Sequence, residues 1–289
     1  MAEREVDEVS GVETTGHVWD GVRELNNPLP RWWLIIFWVS VVWSVVYWVL
    51  MPSWPGLTGY FAGTREHSER RNVAAALSAL QADRQERMAQ LLKVDSIEAV
   101  ERDPQLLEFA LNAGAALFGD NCATCHGAGG QGVKGYPALV DDDWIWGGSL
   151  SDIRRTLQVG IRSGHPETRL NVMQAYGDLG VFSSAQISDL VDYIYSLSGR
   201  PADAAAVARA APLFAEQCAS CHGAEGKGNQ ELGAPNLTDA IWLYGGERAD
   251  LALTLRHGRG GVMPAWEERL SEEQITALAV YVHALGGGE

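Results

Sequence analysis

The chain repeats itself, and each copy carries one C-x-x-C-H motif. The first copy reads LFGDNCATCHGAGGQG, then YPAL, DWIWGG, IRSG, NVMQAY and a closing segment AQISDLVDYIYSLSG. The second reads LFAEQCASCHGAEGKG, then APNL, IWLYGG, HGRG, GVMPAW and EEQITALAVYVHALGG. The matched cysteines Cys122 and Cys218 lie 96 residues apart and the matched methionines Met173 and Met263 lie 90 apart. A short insertion near His165 to Leu170 accounts for most of the difference. Self-similarity of this length predicts two homologous units, 104–199 and 203–286, joined at Gly199, Arg200 and Pro201.

The motifs are Cys122, Cys125, His126 and Cys218, Cys221, His222, and they hold all four cysteines of the chain. Two thiols at this spacing can each add to a vinyl group of one porphyrin, and the adjacent histidine is then held beneath the iron as an axial ligand. A zinc site needs four ligands, and Cys-Cys-His supplies three in a span too tight for a tetrahedron. A redox C-x-x-C would sit between a strand and a helix, whereas these flanks are helical and glycine-rich. The reading is two covalently bound c-type haems.

The sixth ligand of each iron must come from elsewhere. Met173 and Met263 fall 47 and 41 residues beyond the histidines, in the same register of the repeat. The other methionines are Met1, Met51 at the edge of an apolar run, and Met88 in a charged segment. His165 and His257 do not align between copies, His283 falls in a closing helix, and His17 and His67 lie far from either motif. Ligation within each unit is the simple reading, but two packed units could exchange their methionine loops. Pro137 and Pro235, eleven and thirteen residues after the histidines, are placed to offer a carbonyl to the imidazole N–H. Trp144, Trp146, Trp242, Arg162 and Arg259 are candidate propionate contacts, and Tyr193, Tyr195 and Tyr281 read as packing residues of the closing helices. With both axial positions filled, neither iron offers an open site. That favours outer-sphere electron transfer with no catalytic residues of the chain's own. A neutral thioether raises the reduction potential.

Before the repeats, Trp32 to Met51 is twenty residues without a charge, about 30 Å of helix and enough for a bilayer's hydrocarbon core. Trp32, Trp33, Trp48 and Trp54 lie near its ends, where indole rings favour the interface. The order is then an N-terminal segment 1–31, an anchor 32–51, a connector and spacer 52–103, and the two units. Pro52, Pro55, Gly56, Gly59 and Gly63 break the chain after the anchor. From Arg65 to Val100 one or two helices are expected, with a thin stripe of Leu77, Leu80, Met88, Leu91 and Leu92. The net charge of −15 argues against nucleic acid as a partner.

The two units resemble class I cytochrome c domains. The segment TTGHVWDGVRELNNPLPRWW (Thr14 to Trp33), the tryptophan-rich span and MPSWP resemble the di-haem FixP/CcoP subunit of cbb3-type cytochrome c oxidases. The resemblance implies an all-α class of one transmembrane helix followed by two tandem cytochrome c domains. It implies covalent positions at Cys122, Cys125, Cys218 and Cys221 and axial positions at His126, Met173, His222 and Met263. It implies partners: a donor cytochrome c, a mono-haem c subunit, a haem–copper subunit that reduces oxygen, and the lipid bilayer. It also implies a cytoplasmic N-terminus, periplasmic haem units and a place in the bacterial inner membrane. From residue 101 onward the chain carries 24 acidic and 13 basic side chains, suited to steering a basic donor. The other reading is a free-standing anchored di-haem carrier, or a subunit of a different periplasmic oxidoreductase.

Overall fold

The computed structural model describes residues 5–287 and divides the chain into two compact units, Met1–Leu80 and Gln81–Glu289. The first unit opens with an antiparallel hairpin, β1 (Thr14–Trp19) and β2 (Val22–Leu25), in which Val18 pairs with Arg23 and Trp19 with Val22. Its two-residue turn is Asp20-Gly21, with φ of 47° and 85°. An Asp-Gly pair tolerates two positive φ values in succession, and that local twist matches the strands it joins. The sequence reading passed over this hairpin although the Asp-Gly signal was there.

Helix α1 (Arg31–Leu50) is apolar on every face, and none of its residues is buried within the protein. Its two serine hydroxyls bond to their own helix, Ser40 to Phe37 O at 2.7 Å and Ser44 to Ser40 O at 2.8 Å, so neither needs water. After α1 the chain folds back. Thr64 N donates to Val49 O and Arg65 N to Leu50 O, satisfying carbonyls the helix end leaves free.

The spacer forms α2 (Glu69–Gln90) and a short α3 (Glu98–Arg102). The expected stripe is divided. Leu77 and Leu80 are exposed, whereas Leu91 is buried with Val100 and Met88 packs beside them.

The repeats are α4 (Pro104–Asn121), α5 (Ala123–His126), α6 (Leu150–Val159) and α7 (Ser184–Leu197), then α8 (Ala204–Gln217), α9 (Ala219–His222), α10 (Arg248–His257) and α11 (Glu272–His283). Local chemistry sets their starts. Asp103 accepts from Gln105 N and Leu106 N ahead of Pro104, and Ser183–Gln186 and Ser271–Gln274 form matching capping boxes on α7 and α11.

Packing does not follow chain order. The second copy's closing helix, α11, lies on α4 and α6 of the first, and the first copy's closing helix, α7, lies on α8 and α10 of the second. One core therefore joins Phe118, Leu150, Ile153 and Leu157 to Ile275, Leu278 and Val280. The other joins Ile187, Leu190 and Ile194 to Phe214, Leu251 and Leu255. The α4–α11 approach depends on Gly114, where an added Cβ would stand 2.5 Å from Ala277 O. Gly114→Ala must push α11 off α4. The expected loss is about 1–3 kcal/mol of stability, read as an earlier midpoint in guanidinium unfolding followed by circular dichroism.

Acidic side chains gather where Asp141, Asp143 and Asp239 approach one another. Burial, with the charges of Asp239 and Asp141 adding, pushes the Asp143 carboxyl up to about 6. A raised carboxylate pKa means that the folded protein holds the proton more tightly than the unfolded chain. Stability then falls as pH rises through the interval from the ordinary carboxylate value to about 6. Asp143→Asn removes the penalty. It should stabilise by about 1 kcal/mol at pH ~7, after discounting for partial exposure, and by nothing at pH ~4, in paired thermal melts.

Candidate haem sites

Each C-x-x-C-H motif occupies a single helical turn at the end of a long helix. Cys122 caps α4 through its N–H to Phe118 O at 2.8 Å, and Cys218 caps α8 through Phe214 O at 2.9 Å. The turns end at Gly127 and Gly223, both at positive φ. Cys122 and Cys218 are buried, and burial pushes their thiols up to about 11. Among the described residues no three His, Cys, Asp or Glu side chains converge on a metal position.

The imidazoles are oriented by backbone. His126 Nδ1 lies 3.0 Å from Pro137 O, and His222 Nδ1 lies 2.9 Å from Pro235 O. A carbonyl only accepts, so Nδ1 carries the proton and Nε2 presents its lone pair. Burial lowers the pKa of His222 and keeps its ring neutral. Imidazoles held through Nδ1 with Nε2 left bare, beside two thiols at vinyl spacing, fit an iron porphyrin attached at each motif.

The methionines lie on two crossed strand segments. Met263 and Ile161 exchange both backbone hydrogen bonds at 2.9 Å, while Met173 and Arg259 do so at 2.9 and 3.0 Å. Met263 packs into the core that holds Cys122, and Met173 into the core that holds Cys218. Tyr176, three residues after Met173, donates to Gln217 O at 3.0 Å, next to Cys218. Trp266, three residues after Met263, donates its N–H to Leu157 O at 2.9 Å. Each methionine strand thus runs beside the C-x-x-C-H unit of the other copy. The chain thus brings Met263 to the core of the Cys122 motif and Met173 to the core of the Cys218 motif.

The remaining candidates divide. Trp144 Nε1 donates to Gly287 O, and Trp242 lies 5.1 Å from the Arg200 guanidinium. Trp146 packs on Gly233 beneath Arg169, and Arg259 covers Tyr244 at 4.4 Å. Arg162 donates to Gly261 O of the other copy and to Asn171 O, so its guanidinium braces the seam, whereas Arg259 donates to Thr254 Oγ1 within its own copy. Tyr193 packs on Phe214, and Tyr281 on Phe118. Three histidines outside the motifs pair with carboxylates in the repeats and spacer: His165 with Glu267 at 2.6 Å, His257 with Asp178 at 2.8 Å and His283 with Glu101 at 2.7 Å. The first two tie down the segments that follow Met263 and Met173. The sequence reading missed Gly160 and Gly258. Both sit at positive φ, and an added Cβ would fall 2.5 Å from Met263 O at the first and 2.8 Å from Ala175 N at the second.

Fold and motif together define a membrane-helix protein with two class I cytochrome c domains, a class that binds covalent haem. Family comparison agrees segment by segment. Residues 11–58 match the N-terminal domain of cytochrome oxidase-cbb3, FixP; residues 111–198 match cytochrome c; residues 205–282 match cytochrome c oxidase, cbb3-type, subunit III. The cbb3-type cytochrome c oxidase subunit FixP of Bradyrhizobium sp. (strain ORS 278) is 52% identical over 99% of this chain and 98% of its own length. Subunit CcoP of Azospirillum brasilense is 47% identical over the full length of both chains. Subunit CcoP of Cereibacter sphaeroides is 48% identical over 96% of this chain and 95% of its own. The chain belongs to the FixP/CcoP family of cbb3-type cytochrome c oxidase subunits, and its cytochrome c domains make it an electron-transfer protein.

Gly160→Ala and Gly258→Ala should each displace one methionine strand. The expected result is loss of the weak far-red methionine–iron absorption band from about half of the haem in each variant, with the motif histidines unaffected.

Proposed function

We propose that the chain carries two haems with exchanged axial ligation. Cys122, Cys125 and His126 hold the first with Met263, and Cys218, Cys221 and His222 hold the second with Met173. The observation that carries this reading is the pair of crossed strands, each pinning a methionine into the core of the other copy's motif. When bound, a His/Met-ligated haem supplies reversible one-electron chemistry at a raised potential. The chain's own part is positional. Pro137 and Pro235 orient the imidazoles, Gly160 and Gly258 admit the methionine strands, and the buried cores exclude water from the proximal side.

In this role the subunit accepts electrons from a donor cytochrome c and passes them to the mono-haem c and haem–copper subunits of the oxidase. Helix α1 anchors it in the bacterial inner membrane, with the N-terminus cytoplasmic and the haem units periplasmic. The chain has no catalytic centre of its own, and oxygen is reduced elsewhere in the complex. Full-length identity to oxidase subunits favours this reading over a free-standing carrier. The acidic haem units suit a basic donor, so donor turnover should weaken as salt is raised across the Debye range.

The first test is gentle solubilisation through a C-terminal tag, with reduced-minus-oxidised spectra and oxygen uptake on reduced cytochrome c. Co-purifying b-type haem with oxygen uptake is the expected result. c-type haem alone, without uptake after milder solubilisation, would favour the independent carrier. For ligation, Met173→Ala should lower the potential of the haem at Cys218 and leave the other unchanged, and Met263→Ala the reverse. Each shift should be on the order of 0.1 V, within the roughly 0.8 V that axial ligands control. A variant that alters neither haem would refute the ligand set.

A further inference from the structure

We propose that two ion pairs decide which closing helix packs on which C-x-x-C-H unit. On α7, Asp189 receives both Arg209 Nε at 2.8 Å and Arg209 Nη2 at 2.7 Å from α8. One turn later Asp192, only 8% exposed, receives Arg248 Nη1 at 3.0 Å and Nη2 at 2.8 Å from α10. Arg248 also lies 4.5 Å over the ring of Tyr195, whose hydroxyl donates to Gly246 O at 3.1 Å.

The repeat supplies the comparison. Aligning the capping boxes at Ser183 and Ser271 puts Ala277 at the place of Asp189 and Val280 at the place of Asp192. Aligning Cys122 with Cys218 puts Ala113 at the place of Arg209, and aligning Gly147-Gly148 with Gly245-Gly246 puts Leu150 at the place of Arg248. These four counterparts share one apolar core, with Leu150 at 3% exposure and Ala277 and Val280 at 0%. In the crossed arrangement charge therefore meets charge at both positions, and apolar meets apolar at both.

The in-line arrangement would break every match. Asp189 and Asp192 would face Ala113 and Leu150, while Arg209 and Arg248 would face Ala277 and Val280. Asp192 is the buried member of the set, and a buried charge without its partner costs more than a pair gains, so the rejection of the wrong pairing falls on Asp192, while the half-exposed arginines add to it less. Each closing helix also trails its own methionine strand, so the rule decides which methionine reaches which motif. That consequence rests on the ligation proposed above; the helix placement does not.

The test uses the full-length, haem-loaded chain, unfolded in guanidinium and refolded in detergent. Nitroxides are attached at Ser188 on α7 and Ala208 on α8, both exposed, and their separation is measured in the reduced, diamagnetic state. The parent should give one short distance. Replacing the four residues by their counterparts (Asp189→Ala, Asp192→Val, Arg209→Ala, Arg248→Leu) should add a second, longer population. Exchanging the charges (Asp189→Arg with Arg209→Asp, Asp192→Arg with Arg248→Asp) should restore the single short distance. Should the fourfold neutral variant fail to refold, Asp192→Val with Arg248→Leu is read by the same criterion. A neutral variant that refolds to the parent's single distance overturns the proposal, as does a charge-exchanged variant with two populations. Altered iron ligation with unchanged distances would count against the ligand set and leave the pairing rule standing.

Discussion

The second half of this chain depends on two short backbone exchanges, Ile161 with Met263 and Arg259 with Met173. Each joins the turn after one copy's third helix to the methionine segment of the other. They are possible because Gly160 and Gly258 adopt positive φ and leave room where a side chain would strike the crossing strand. The closing helices that follow the strands cross with them. The two cores are then each built from both copies, and neither copy could be removed without opening the other.

This arrangement bears on how two cytochrome c domains are held together in one small protein. A class I cytochrome c unit is near the lower size limit for an independent core, and bound haem completes much of its apolar contact. Exchange adds backbone hydrogen bonds, the Lys134–Asp250 pair and the Asn171–Leu232 O bond at the seam, all between copies. Trp146 against Gly233 and Tyr244 beside Gly135 repeat the same contact in both directions. The loops they brace are those whose prolines, Pro137 and Pro235, hold the motif histidines, so the seam and the imidazole orientation are one mechanical system.

Much of this was legible in the residues. The C-x-x-C-H motifs, the repeat around them, the one methionine per copy and the uncharged twenty-residue run all declare themselves by spacing or composition. The proline carbonyls could be named because the repeat placed a proline in both copies at nearly the same remove. The hairpin at Thr14–Leu25 was overlooked although Asp20-Gly21 marks it. Spacing marks a thin stripe from Leu77 to Leu92, but it cannot distinguish residues that meet a core, such as Leu91, from those left exposed, such as Leu77.

The sequence by itself singled out the candidates: the thiols, imidazoles and thioethers of each copy and the apolar helix, because each is marked by local spacing along the chain. Only the tertiary structure decided which methionine lies beside which motif. Spacing along the chain is the same for in-line and exchanged loops. What separates them is a set of contacts between residues far apart in sequence: glycines that admit a crossing strand, and carboxylates that find arginines on the other copy.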